Sequence, residues 1–136
     1  MRKVSSSCII DDDPIFIFGT KKVMKEVNFC DHVIVYHNGE EAIHGLKSMV
    51  KKGEELPGLI FLDLNMPIMD GWDFLEDFIA IPNKNRENVI VYIISSSIDA
   101  NDFIRARSYK AVNNYILKPI TPEDLIFVLN MLPSTG

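Results

Sequence analysis

Five side chains able to do chemistry stand directly after short apolar runs of this 136-residue chain. Asp11 and Asp12 follow Cys8-Ile9-Ile10, Asp63 follows Leu59 to Leu62, Ser95 follows Val89 to Ile94, and Lys118 follows Tyr115-Ile116-Leu117. Unbroken apolar runs suit strands buried on both faces of a parallel sheet, so each group falls where its strand leaves the core. Three carboxylates gathered there repel. At about 4 Å a like-charged pair costs about 1 kcal/mol in water and about 4 kcal/mol at an effective dielectric of 20. A cation, protonation or distance must compensate. The donors are oxygen only, which favours a hard ion, and a site open on one side favours hydrated Mg2+ over a closed Ca2+ cage. A carboxylate beside Mg2+, a lysine and a hydroxyl suits a dianion arriving on the carboxylate itself. Asp63 is then the nucleophile toward a phosphoryl group. Mg2+ on Asp11, Asp12 and Asp63, together with Lys118, neutralises the transferring oxygens, and Ser95 donates one hydrogen bond to the product. Taken singly, each residue has a plainer reading: Asp11 to Pro14 as a solvated acidic turn, Asp63 as a turn residue, Ser95 as a strand-end serine. The combination of 11, 12 and 63 favours the metal and leaves Asp13 as a helix cap.

The chain alternates apolar runs with helix-like patterns, and this alternation is what must bring the groups together. Strand one, Cys8 to Ile10, leads into a helix with Pro14 in its first turn, Phe16, Val23 and Val27 inward, and Gly19 as a weak point. Strand two is Val33 to Tyr36. Asn38 and Glu41 form a capping box for a helix whose apolar face is Ala42, Ile43, Leu46, Met49 and Val50, closed by Lys51, Lys52 and Gly53. After strand three, Pro67 removes a ladder donor, and Asp70-Gly71 opens a helix to Ala80 that buries Trp72, Leu75, Phe78 and Ile79. Strand four is Val89 to Ile94. A helix capped by Asp99 runs through Phe103, Ile104 and Ala106 to about Tyr109, and strand five is Tyr115 to Leu117. The last helix has Thr121 as cap, Pro122 first, Glu123 and Asp124 in its first turn, and Leu125, Val128 and Leu129 inward.

This order is βα five times, which gives an α/β fold: a doubly wound, five-stranded parallel sheet with right-handed crossovers and helices on both faces. Strand two alone ends, in His37-Asn38, without an acid, hydroxyl or lysine. In the flavodoxin-like order 2-1-3-4-5 the switch point lies between strands one and three, and strand two falls beyond the crevice where such sheets bind ligands.

With 47% hydrophobic residues, the chain is expected to form one domain over 1–136, its core from about 6 to 132, with no effector domain. The longest apolar run, six residues from Val89, is far short of the roughly 20 that cross a bilayer. Met1-Arg2-Lys3 runs into serines rather than a signal-peptide core. The expectation is a cytoplasmic protein with no membrane insertion. A net charge of −5 argues against direct binding of nucleic acid. Cys8 and Cys30 lack ligand spacing and read as core or near-core residues. His32, His37 and His44 read as solvated or capping residues, and Lys21, Lys22, Lys25, Lys47, Lys51 and Lys52 as wet helix faces.

Asp11-Asp12, LDLNMPIMDG from Leu62 to Gly71, Ser95 and Tyr115-Ile116-Leu117-Lys118-Pro119 together resemble the receiver domain of two-component response regulators, over essentially the whole chain. The resemblance implies that Asp63 is the phosphoacceptor and that Mg2+ is held by Asp11, Asp12, Asp63 and the main-chain carbonyl of Asn65. It also implies that Lys118 contacts the phosphoryl group and that Pro119 follows a cis peptide bond, otherwise a minority state. Ser95 takes the Ser/Thr switch position and Tyr115 the aromatic one, and their movement alters a surface of the fourth helix, fifth strand and fifth helix. Asn65 and Ser97, each two residues past a motif residue, match positions that tune dephosphorylation. The implied phosphodonor is a sensor histidine kinase or a phosphotransfer protein, in a two-component pathway or phosphorelay, and the implied output is a downstream protein target. Such a receiver takes part in its own phosphorylation without being a multiple-turnover enzyme.

Other readings make different demands. A haloacid-dehalogenase-like phosphatase would use Asp63 as nucleophile but needs an Asp as general acid two residues on, where this chain has Asn65. A receiver fragment of a larger regulator or hybrid kinase would suit Pro133 to Gly136 as the start of a linker. A purely structural module would take up no phosphoryl group.

Overall fold

Strand β3 (Leu59–Asp63) lies at the centre of the sheet, with all five residues buried. The computed structural model describes residues 4–96 and 99–132; Ser97 and the segment 133–136 lie outside the described residues. Around β3 stand β1 (Val4–Ile10), β2 (Cys30–Tyr36), β4 (Ile90–Ser95) and β5 (Val112–Leu117), all parallel, in the order β2-β1-β3-β4-β5. This is the order expected from the strand-end chemistry. The register carries the functional ends toward one another. Ile10 pairs with Leu62, so Asp11 and Asp63 follow on adjacent strands at one level. Asp63 pairs with Ile94 and Ser95 with Leu117, so Ser95 and Lys118 each stand one step further along.

Side chains alternate across the strands. Cys8, Ile10, Ile60, Leu62 and Ile93 pack on one face beneath α2 (Gly39–Lys51), α3 (Gly71–Phe78) and Ala106 of α5 (Ala100–Arg107). Ile9, Leu59, Phe61, Tyr92 and Ile94 pack on the other beneath α1 (Pro14–Glu26) and α6 (Pro122–Met131). Ile9 of β1, Leu59 and Phe61 of β3 and the even position Ile116 of β5 share this second face. Continued by one step, the same alternation sends Asp11, Asp63 and Lys118 to the side that α1 covers.

Several elements differ from the sequence reading. A one-turn helix, α4 (Asn83–Arg86), follows Pro82 and has no side-chain cap; Arg86 Nε closes it by donating to the Ile81 carbonyl at 2.8 Å. A single turn has no hydrophobic period, so nothing in the pattern announced it. The helix expected fourth is therefore α5, with Phe103 and Ile104 exposed and only Ala106 buried. β5 is twice the expected length, because Val112, Asn113 and Asn114 extend it at a sheet edge through a bulge against Val91 and Tyr92. Strands one and two also begin earlier than expected, at Val4 and Cys30.

On α1 the fully buried residues are Ile17, Thr20 and Met24, while Phe16, Val23 and Val27 are half-buried at its margin. On α3, Phe74 takes the core place expected of Ile79, which is 37% exposed past the end of the helix. The α2 cap is also altered. Asn38 Oδ1 accepts from the Glu41 N–H at 2.8 Å, but Glu41 reaches back to the N–H of His37 rather than that of Asn38. The full reciprocal box occurs on α6 instead, between Thr121 and Asp124. Among the described residues, no helix is long and apolar enough to cross a membrane.

Candidate phosphoryl-acceptor site

The site opens where β1, β3 and β5 end. Asp11 is fully buried and Asp63 is 5% exposed, while Asp12 faces solvent. One oxygen from each lies within 4.8 Å of the others. Asp11 is locked from behind, since its Oδ1 accepts the Asp13 N–H at 2.9 Å. Asp13 in turn caps α1 by accepting the Ile15 N–H at 2.9 Å, the role the sequence left to it.

Asp11 Oδ2, sealed from solvent, makes no hydrogen bond of ordinary geometry among the described residues. The Lys118 ammonium lies 2.7 Å from it as an ion pair, and 3.8 Å from Asp63 Oδ1. Among the described residues, two of the three clustered carboxylates thus pair with one ammonium. Burial pushes the Asp63 carboxyl up to about 6, and the neighbouring Asp11 charge adds to the rise. Lys118 and the Asn65 N–H, which donates to Asp63 Oδ1 at 3.4 Å, pull it back only in part. The arrangement is short of positive charge, and all its donors are oxygen, one of them buried with capacity for a further ligand. Those properties fit a small hard divalent cation.

Local structure explains how β3 delivers Asp63. Met66 and Pro67 turn the chain away, and Gly71 brings the start of α3 back against the strand end, with its N–H donating to the Leu64 carbonyl at 3.0 Å. A Cβ on Gly71 would lie 2.6 Å from the Asp63 carbonyl oxygen, so only glycine permits this approach. Between them Ile68, 77% exposed, is held at φ 69°, in the left-handed region that β-branched residues avoid.

The remaining candidates take their places around this centre. Ser95, buried at the end of β4, offers its carbonyl to the Lys118 N–H at 2.8 Å, tying the hydroxyl-bearing strand to the lysine-bearing one. The Lys118–Pro119 peptide bond is cis. Tyr115 is half-buried on β5, its ring centroid 6.2 Å from that of Phe103 on α5. Asn65 is exposed beside the acids, and Ser97 lies outside the described residues. Sequence reasoning missed one neighbour. The Phe16 ring lies over Lys118, with its centroid 4.4 Å from Nζ. An apolar residue in the first turn of an amphipathic helix gives no signal that separates a core role from this one.

This chain is similar to known proteins. The family model described as the response regulator receiver domain matches residues 8–130. The nitrate/nitrite response regulator protein NarL of Escherichia coli strain K12 is 33% identical over 122 residues, covering 90% of this chain and 51% of NarL. A two component response regulator from Cytophaga hutchinsonii has a crystal structure that matches with a TM-score of 0.87 and 29% identity, covering 95% of this chain and 96% of that one. The receiver domain of sensor histidine kinase PA1611 from Pseudomonas aeruginosa PAO1, crystallised with a magnesium ion coordinated in its active site cleft, matches with a TM-score of 0.74. At 16% identity, covering 93% of this chain and 94% of that domain, this last likeness is one of fold. The chain spans about half the length of NarL, and between 11% and 74% of several other curated relatives.

Proposed function

We propose, for a chain that belongs to the response regulator receiver family, that Asp63 accepts a phosphoryl group from a phosphohistidine and that this switches a partner-binding face. The observation that carries the reading is the carboxylate cluster of Asp11, Asp12 and Asp63, set against Lys118 at the crevice of the sheet. Asp11, Asp12 and Asp63, with the Asn65 carbonyl, would hold Mg2+. The bound ion supplies charge neutralisation at the transferring oxygens. An oxygen of ionised Asp63 attacks phosphorus, the bond from phosphorus to the donor imidazole breaks, and the imidazole keeps the electron pair and takes up a proton. Lys118 pairs with the new phosphoryl oxygens, and the Ser95 hydroxyl donates to one of them.

Output would pass through α5, β5 and α6. Phe103, Ile104, Leu117, Ile126 and Phe127 on these elements are 40–67% exposed, an apolar surface suited to a protein partner. Tyr115 beside Phe103 would relay the state of Ser95 to that face. Asn65 and Ser97 would set the lifetime of the acyl phosphate. The phosphatase reading is less favoured, because Asn65 cannot serve as the general acid that it requires. Incubation with acetyl phosphate and Mg2+ tests the proposal by intact mass. One added phosphoryl group in the wild-type chain, absent in Asp63→Asn, is expected; sustained turnover of phosphomonoesters would favour the phosphatase.

A further inference from the structure

Among the described residues, the Lys118 ammonium lies against Asp11 Oδ2 at 2.7 Å, Asp63 Oδ1 at 3.8 Å and the face of the Phe16 ring at 4.4 Å. The charge of the site accounts for the first two and not for the third. Phe16 lies in the first turn of α1, half-buried at the edge of the core beneath that helix. A cation over an aromatic face is drawn to the ring quadrupole, most strongly where both are shielded from water, and the Lys118 side chain is only 17% exposed. The turn that carries the ring is also anchored to the acids, through the Asp13 N–H on Asp11 Oδ1. The turn that carries the ring and the Asp11 carboxylate are therefore tied by one hydrogen bond. A free lysine side chain samples many rotamers, and holding it costs entropy that a fixed ring face offsets before a phosphodonor arrives.

We propose that Phe16 is a positioning residue for phosphoryl transfer, its ring holding the Lys118 ammonium between Asp11 and Asp63 so that the lysine meets the transferring oxygens already in place. The role rests on Asp63 being the phosphoacceptor, and assigns a function to a residue outside the acceptor motifs. Leucine at position 16 fills similar apolar space without a quadrupole, whereas tyrosine keeps the ring.

Two readouts test it in the wild-type, Phe16→Leu and Phe16→Tyr proteins. The first needs no phosphodonor. In 1H–13C spectra, the ring current should displace the Lys118 Cε protons upfield in the wild type and in Phe16→Tyr, and leave them at ordinary lysine positions in Phe16→Leu. The second is the initial rate of phosphorylation by acetyl phosphate at saturating Mg2+. Phe16→Leu should slow it about three- to tenfold, the rate equivalent of one shielded cation–π contact, while Phe16→Tyr stays within about twofold. Mg2+ affinity should be unchanged in both variants. Undisplaced Lys118 protons in the wild type, a wild-type rate in Phe16→Leu, or equal slowing in both variants would overturn the role of Phe16 alone. No phosphoryl uptake by the wild-type chain would overturn the acceptor reading and this role with it.

Discussion

Two strand-to-helix turns of this protein do the same topological job on very different terms. The turn from β2 to α2 is two residues long, His37 and Asn38, and its interactions are local: Asn38 caps the helix, and Glu41 reaches back to His37. The turn from β3 to α3 takes seven residues, Leu64 to Asp70. It carries a residue at positive φ, it needs a glycine against the strand end, and it leaves a buried carboxyl facing two other acids. The first turn is held by its own helix cap, and the second presents the proposed acceptor. They also touch, because the Gly39 N–H donates to the Met69 carbonyl at 3.1 Å. That single hydrogen bond joins the two connections. The connection that presents Asp63 carries both backbone strain and unbalanced charge, as is common at functional sites.

That contrast can be broken in several places. The largest effect on stability should come from Gly71→Ala, whose Cβ would meet the Asp63 carbonyl oxygen at 2.6 Å and Leu64 Cα at 2.9 Å. Neither backbone atom can yield cheaply. A loss on the order of 2–4 kcal/mol in urea denaturation, together with impaired phosphoryl uptake, is expected.

Next comes the charge of Asp63. Its carboxyl is raised from the ordinary 3.8 to about 6, mainly by burial and then by Asp11. Below pH 4 the folded and unfolded chains both hold this proton, and the group has no net effect. Between pH 4 and 6 the unfolded chain releases it while the folded chain keeps it, so metal-free stability falls as pH rises through that window. Asp63→Asn should therefore stabilise the metal-free protein by roughly 1–3 kcal/mol at pH 7, and by little at pH 4. Saturating Mg2+ should narrow the gap by stabilising the wild type. Equal gains at both pH values would contradict the electrostatic account.

Smaller effects separate the two turns. Asn38→Ala removes the α2 cap and should cost about 1 kcal/mol, yet leave the rate of phosphorylation by acetyl phosphate unchanged. Ile68→Gly should act in the other direction. Relief of the left-handed strain adds about 0.5–1 kcal/mol of stability after the greater freedom of glycine in the unfolded chain is counted. An Ile68→Gly variant less stable than wild type would show that the exposed side chain contributes packing that outweighs its backbone strain.

The same contrast explains what could be read from the residues in order. Apolar runs ending in Asp11, Asp63, Ser95 and Lys118 announced the strands and the place of the site, because a fully buried strand needs an unbroken run and its end is marked by the first polar residue. The strand order followed from the one end, His37-Asn38, that lacks such chemistry. Features decided by tertiary contact did not show. The single turn of α4 has no period, the bulge that lengthens β5 depends on its partner strand, and the exchange of Ile79 for Phe74 depends on where α3 stops. Phe16 was legible as apolar and near the core. Its place over Lys118 arises only when α1 closes on the end of β5.

In the proposed function, a divalent cation would gather three acids so that one of them captures a phosphoryl group. Treatment with acetyl phosphate, borohydride reduction and peptide mapping tests it most directly, since reduction converts an aspartyl phosphate to homoserine at the residue that carried it. Homoserine at position 63, formed with Mg2+ and abolished by EDTA, is the predicted result. Homoserine at another aspartate, or the same yield without a divalent ion, would contradict it.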